Sequence, residues 1–131
     1  MPEAHKGKGK GNQFLDDLRE ADIFIHVVDA SGTTDFNGNP AKGHDPCNDI
    51  EFLEKEIVMW IFGILEKNWH SISRKSQTAG KPLSSEIAQQ LSGLKINENN
   101  VKDVIKKLEL GEKASHWTDA HILEFVKEIR K

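Results

Sequence analysis

Cysteine is nearly absent: Cys47 is the only one among 131 residues. That excludes an internal disulfide and any CxxC-type zinc site, and it fits a reducing compartment. Long apolar runs are missing as well. The longest covers residues 57–65, well short of the roughly 20 residues needed to span a bilayer. The first residues, Met1-Pro2-Glu3-Ala4-His5-Lys6, lead into glycines and lysines without the apolar stretch of a signal peptide, so no membrane association and a cytoplasmic location are expected. Neither sign of charge dominates. There are 18 Lys+Arg against 21 Asp+Glu, a formal net charge of −3, which argues against a general polyanion-binding surface and leaves room only for a local patch. At 14.8 kDa the chain has the size of one domain.

A complete phosphate-binding motif is also lacking. Residues 5–11 read His-Lys-Gly-Lys-Gly-Lys-Gly, but a Walker A loop needs G-x-x-x-x-G-K-[ST], because its amides cradle phosphate and its hydroxyl holds magnesium. Lys8 is followed by Gly9, Lys10 by Gly11 and Lys81 by Pro82, so each Gly-Lys pair fails. The run buries no apolar surface and reads as a flexible basic loop.

Asn12 is placed to cap a helix over residues 13–21, with Phe14, Leu15, Leu18 and Ala21 at helical spacing. Residues 22–29, Asp-Ile-Phe-Ile-His-Val-Val-Asp, are the clearest strand. Between its two terminal aspartates the run is apolar apart from His26, the pattern of a strand covered on both faces in a parallel sheet. His26 is expected to be a core histidine. A turn-rich loop follows, from Ser31 through Pro40 to Asp45-Pro46.

Beyond Pro46 the periodicity is helical. Asp45 is the expected N-cap and Pro46 suits the first turn. Ile50, Leu53, Ile57, Trp60, Ile61, Ile64 and Leu65 form one stripe that ends near Trp69, and residues 71–82 read as a helix fraying into a loop. A second helix is expected over residues 83–91, capped by Ser84, and a third over 97–108, stopped by Gly111. Thr118 begins a fourth, with Ile122, Leu123, Phe125, Val126 and Ile129 on its apolar side but without a full capping box. Trp60, Trp69 and Trp117 read as core residues.

One strand stands among these helices with no second strand to pair with it. A solitary buried strand leaves N–H and C=O groups unpaired along both edges, and a sheet needs at least two strands. The expectation is therefore an internal piece of a larger α/β protein.

Other constellations are weaker. His44, Asp45, Cys47 and Asp49 cluster, but zinc sites draw ligands from two separated groups and no second group is evident. His116 and His121 lack the context of a zincin. His26, Asp29 and Ser31 do not form a triad, since strand alternation puts His26 and Asp29 on opposite faces. Lys102, Lys106 and Lys107 read as a solvated helix face, with RNA contact as the functional counterpart. No catalytic or metal-binding residue is assigned.

Residues 4–19 (Ala-His-Lys-Gly-Lys-Gly-Lys-Gly-Asn-Gln-Phe-Leu-Asp-Asp-Leu-Arg), Ala21-Asp22 and 25–35 (Ile-His-Val-Val-Asp-Ala-Ser-Gly-Thr-Thr-Asp) closely resemble the Obg/YchF group of GTPases, most of all its archaeal and eukaryotic-type branch. Gly43-His44-Asp45-Pro46, Asp49-Ile50, Phe52-Leu53-Glu54, Glu56-Ile57 and Trp60 are similar too. The resemblance implies a mainly α chain with a minimal α/β part: a fragment of a Ras-like P-loop GTPase domain, with one core parallel strand, carrying an all-helical insertion. It implies that residues 1–45 belong to the GTPase domain, 46–115 to the insertion, and 116–131 to a helix returning to the GTPase domain. His5, Gly7, Gly9 and Gly11 would lie in a switch II-like loop. The phosphate loop and the N-K-x-D guanine reader have no counterpart here, and no Asn-Lys pair occurs in the chain.

The resemblance further implies GTP and Mg2+ as cofactors of the intact relative, with none for this chain alone, which is expected to be inactive. It implies the rest of the GTPase domain as one partner and the ribosome or RNA as another. Two alternatives are a stand-alone helical module that binds protein or RNA and, ranked last, a metal-dependent hydrolase around His44 and Cys47.

Overall fold

The computed structural model describes Asp17 and residues 20–131. Among these residues regular structure is helical, with no strand. Four α-helices follow in order: α1 (Pro46–Thr78), α2 (Leu83–Leu91), α3 (Glu98–Lys107) and α4 (Asp119–Ile129), with single 3₁₀ turns at Ser92–Leu94 and Ala114–His116. The mainly α expectation holds. The chain divides into two compact units, residues 1–60 and 61–131, and the division falls within α1. The helix expected over residues 13–21 lies almost wholly outside the described residues.

In residues 1–60, α1 starts where Asp45 and Pro46 require. The Asp45 carboxylate accepts the Cys47 amide at 2.9 Å, filling one of the donors that a helix N-terminus leaves open. The expected strand does not form. Residues 23–28 are irregular, and Ile23, Ile25 and Val27 are more than four-fifths exposed. His26, expected in a core, is exposed as well. The physical reason is pairing: no segment among the described residues offers a ladder to these amides and carbonyls, and β-structure cannot satisfy its hydrogen bonds within a single strand. Ile50, expected on the buried stripe, is also largely exposed, whereas Ile57 and Trp60 are buried.

In residues 61–131 the helices share a core. Leu65, Ile72, Leu83, Ile87, Leu91, Val101, Ile122, Phe125 and Val126 are essentially inaccessible, and α3 packs against both α2 and α4. Trp117 lies 5.3 Å from Trp69 and 5.6 Å from Phe125, ring centre to ring centre, and its indole N–H donates to the Gly111 carbonyl at 3.1 Å. An aromatic cluster of this kind adds roughly 0.5–1.5 kcal/mol per pair beyond area burial.

Three boundaries differ from expectation. α1 runs to Thr78, well past Trp69, because Ile72 continues the Leu65–Trp69 stripe into the core; the stop is Gly80, at φ 61°, ahead of Pro82. α2 has Pro82 at its N-cap, not Ser84. Ser84 lies buried inside the helix and its hydroxyl approaches the Glu98 carboxylate at 3.5 Å. α3 ends before Gly111: Glu109 takes the left-handed conformation at φ 53°, while its N–H donates to Lys106 and that of Leu110 to Ile105. That is a Schellman ending built without glycine. α3 and α4 both start in full capping boxes, Asn97 with Asn100 and Thr118 with His121. The second corrects the sequence reading, because the His121 ring nitrogen Nδ1 accepts the Thr118 N–H as a Glu or Gln would.

Candidate functional site

The densest polar structure in residues 1–60 is the loop that follows the apolar segment. Asp29 is its hub. Its carboxylate accepts the Ser31 hydroxyl at 2.6 Å, the Ser31 N–H at 3.0 Å, the Thr34 hydroxyl at 2.6 Å and the Thr33 hydroxyl at 3.2 Å. The Ser31 hydroxyl, followed by that of Thr34, holds this carboxyl far below the usual carboxylate range. Asp35 repeats the device one turn on, accepting the amides of Asn39 at 2.9 Å and Asn37 at 2.8 Å, which also lower its pKa. Backbone bonds from Asp35 to Asn39 and from Ala41 to Thr33 close the loop on itself.

Gly32 joins this loop to the start of α1. Its carbonyl accepts the His44 N–H at 3.2 Å. Its φ of 67°, and the 2.6 Å that would separate a Cβ from the His44 carbonyl oxygen, both call for glycine. His44 Nε2 and Asp49 Oδ1 share a hydrogen bond at 2.7 Å with both side chains mostly buried. Phe36 stacks on Phe52 at 5.4 Å. The loop is thus anchored to the first turns of α1 by one backbone bond, one His–Asp pair and one aromatic stack.

This geometry decides between the readings of these residues. Asp29 and Ser31 come together, as an Asx-type turn, while His26 is exposed and bonded to neither, so no triad forms. Cys47 is exposed, and the adjacent Asp45 carboxylate pushes its thiol pKa up, away from the reactive thiolate. Among the described residues no group of three or more His, Cys, Asp or Glu converges as a metal site. For magnesium, implied by the resemblance, the described residues likewise bring together no such group of ligands. The switch II-like residues His5, Gly7, Gly9 and Gly11 lie outside the described residues.

Two of the three lysines on the α3 face, Lys102 and Lys107, are ion-paired, and Lys106 is exposed. Lys102 meets Glu98 at 2.7 Å, Lys107 pairs with Glu128 of α4, and Lys131 reaches the same carboxylate at 2.9 Å. Sequence reasoning missed three features: the Asp29 hub, the His44–Asp49 pair and buried Glu86. The first was signalled by the Ser, Thr and Gly that follow Asp29. Glu86 has Lys81 at 3.8 Å from one oxygen and no partner for the other among the described residues; nothing in the sequence marked it as inaccessible. No helix among the described residues is long and apolar enough to cross a membrane.

No protein-family model matches the chain. Individual proteins do. The whole chain is 47% identical, over 131 residues, to a GTP-binding protein of Methanocaldococcus jannaschii, of which it covers 33%. It is 31% identical over 85 residues to the ribosome-binding ATPase YchF of Escherichia coli, a match covering 65% of this chain and 23% of that protein. The crystal structure of a GTP-binding protein from Pyrococcus horikoshii superposes on 89% of the chain and 34% of its own length, with a TM-score of 0.83 and 49% identity. More distant relatives carry the name GTPase Obg. The chain is thus similar, over its whole length, to part of GTP-binding proteins whose relatives carry the names YchF and Obg. It spans about a third of the length of the relatives that it matches best.

Proposed function

We propose that this chain is a part of an Obg/YchF-type GTP-binding protein and contributes structural elements to a nucleotide domain whose phosphate- and guanine-reading residues are not in this sequence. The observation that carries the reading is the match over the full chain at 47% identity to one third of a GTP-binding protein. Exposed Ile23, Phe24, Ile25 and Val27 support it physically. Leaving four large apolar side chains in water forfeits on the order of 1.5–3 kcal/mol each compared with burial, and a Ras-like sheet would cover both faces of the segment.

In this reading residues 1–45 belong to the nucleotide domain, 46–115 form a helical insertion and 116–131 return to the nucleotide domain. His5, Gly7, Gly9 and Gly11 lie in a switch II-like loop near the nucleotide of the whole protein, which uses GTP with Mg2+, works in the cytoplasm and associates with the ribosome. Ribosome association is supported by the name of the E. coli relative. The chain alone neither binds GTP tightly nor hydrolyses it, because the loops that would hold phosphate and base are missing from its sequence. Titration of the purified chain with fluorescent GDP in magnesium buffer tests this. No saturation up to high micromolar protein is expected, and magnesium-dependent binding at micromolar or lower Kd would overturn the reading.

A second reading, a helical module that binds protein or RNA by itself, is favoured by one observation: residues 61–131 have a core of their own. Cooperative melting of the whole chain, residues 20–60 included, would favour that module over a part of a larger domain.

A further inference from the structure

The last turns of α1 carry a run of cations that form no ion pair among the described residues. Lys67, His70, Arg74 and Lys75 are all exposed, and their spacing of three, four and one residues places them along one side of a 3.6-residue helix. From Lys67 to Lys75 the stripe extends about 12 Å along the axis. None of the four has an ion pair among the described residues, although Lys81, Lys102, Lys107 and Lys131 all do. Glu66 is the only acid in α1 after residue 60; it lies four residues before His70 and flanks the stripe on that side, leaving three permanent cations against one acid.

Ordinary helix electrostatics accounts for part of this and not the rest. Cations in a final turn complement the helix dipole, which explains Lys75 but not Lys67, three turns from the end. Charge is also segregated along the chain. Residues 61–131 hold 12 Lys+Arg against 9 Asp+Glu, whereas residues 1–60 hold 6 against 12. The polar stretch expected to fray from helix into loop is helical to Thr78, so Arg74 and Lys75 are held in fixed register with Lys67.

We infer that this stripe is a contact for the phosphate backbone of structured RNA. The inference rests on the ribosome-associated reading above and names its contact. The complementarity is electrostatic: three permanent cations on a rigid rod, with His70 between them, face a polyanion whose bound counterions are released on contact. No base-reading constellation accompanies the stripe, so the contact is insensitive to sequence.

The test uses the whole chain and a fluorescein-labelled RNA hairpin of about 20 nucleotides, followed by anisotropy from low to physiological salt. The triple variant Lys67→Gln, Arg74→Gln, Lys75→Gln is compared with Lys106→Gln, Lys113→Gln, Lys127→Gln, which removes the same charge from exposed positions elsewhere; circular dichroism verifies that both remain helical. Expected are at least about tenfold weaker binding for the stripe variant, a slope of log K against log salt shallower by about 2, and a loss below about threefold for the control. Equal losses in the two variants, or no hairpin binding by the unaltered chain at low salt, would overturn the inference. Displacement of the hairpin by poly-glutamate at equal charge would also overturn it, in favour of an acidic protein partner. Co-sedimentation with ribosomes reads the underlying proposal separately. Pelleting that the stripe variant leaves unchanged sinks the stripe alone, and stripe-dependent hairpin binding without pelleting sinks the ribosome reading and keeps the RNA contact.

Discussion

Gly32 and Glu109 both occupy left-handed backbone, and only one of them is glycine. At Gly32 two constraints coincide, a φ of 67° and a carbonyl oxygen where a Cβ would sit. Gly32→Ala is therefore expected to loosen the loop on α1. A penalty of roughly 1–2 kcal/mol predicts amide exchange at Ala41 and His44 faster by about tenfold, and unchanged exchange there would contradict the geometry. At Glu109 the conformation has the opposite consequence. Glu109→Gly removes the left-handed penalty at the end of α3 and should stabilise by up to about 1 kcal/mol, raising the melting midpoint of residues 61–131 by a few degrees; a lowered midpoint would contradict it. Such positions were only half legible beforehand. Gly32 reads from the sequence simply as a turn residue, and Glu109 carries no signal at all, because a glutamate has no local preference for the left-handed conformation that the Schellman ending requires there.

For the elements, legibility followed the source of the stabilising interactions. α2, α3 and α4 were readable because their apolar periodicity lies within each helix, and the structure places them within a residue or two of the expected bounds, although the cap of α2 and the capping box of α4 were not read correctly. The end of α1 was not readable, since Ile72 among Ser, Arg, Lys and Gln gains its helical state from the core. The apolar segment was misread as a formed strand for the converse reason: its composition favours β-structure, but pairing is a property of two segments. Between α3 and α4, Glu128 is held below its ordinary carboxyl pKa, first by Lys107 and then by Lys131. A depressed carboxyl contributes stability that is present above its unfolded value, near 4.5, and lost as pH falls through the lower folded value. Urea unfolding at neutral pH should thus separate Glu128→Gln from the parent, and the separation should shrink steadily below pH 4.5. A gap that persists at pH 3 (about 1.5 units lower) would show that the pair is not its cause.

At the scale of the whole molecule, two kinds of structure adjoin in one chain: a helical unit with its own core, and a leading stretch whose apolar side chains stand in water. The candidate site divides in the same way. The polar loop around Asp29 and the His44–Asp49 pair are completed by residues near in sequence, whereas the roles proposed above for the switch II-like glycines and for the apolar segment both depend on polypeptide outside this sequence. Family resemblance supplied that part, because no periodicity within one chain can announce a strand contributed by another stretch of polypeptide. Exposed, unpaired, β-prone segments are also those through which chains associate, so dilute protein is the proper state for a decisive experiment. Residue-resolved amide hydrogen exchange of the dilute chain is that experiment. Residues 23–28 are predicted to exchange within about tenfold of an unstructured peptide while Val101, Ile122 and Phe125 are slowed by about a thousandfold or more; protection of residues 23–28 equal to that of Phe125 would mean that the segment already has its hydrogen-bonding partners, and would contradict the account.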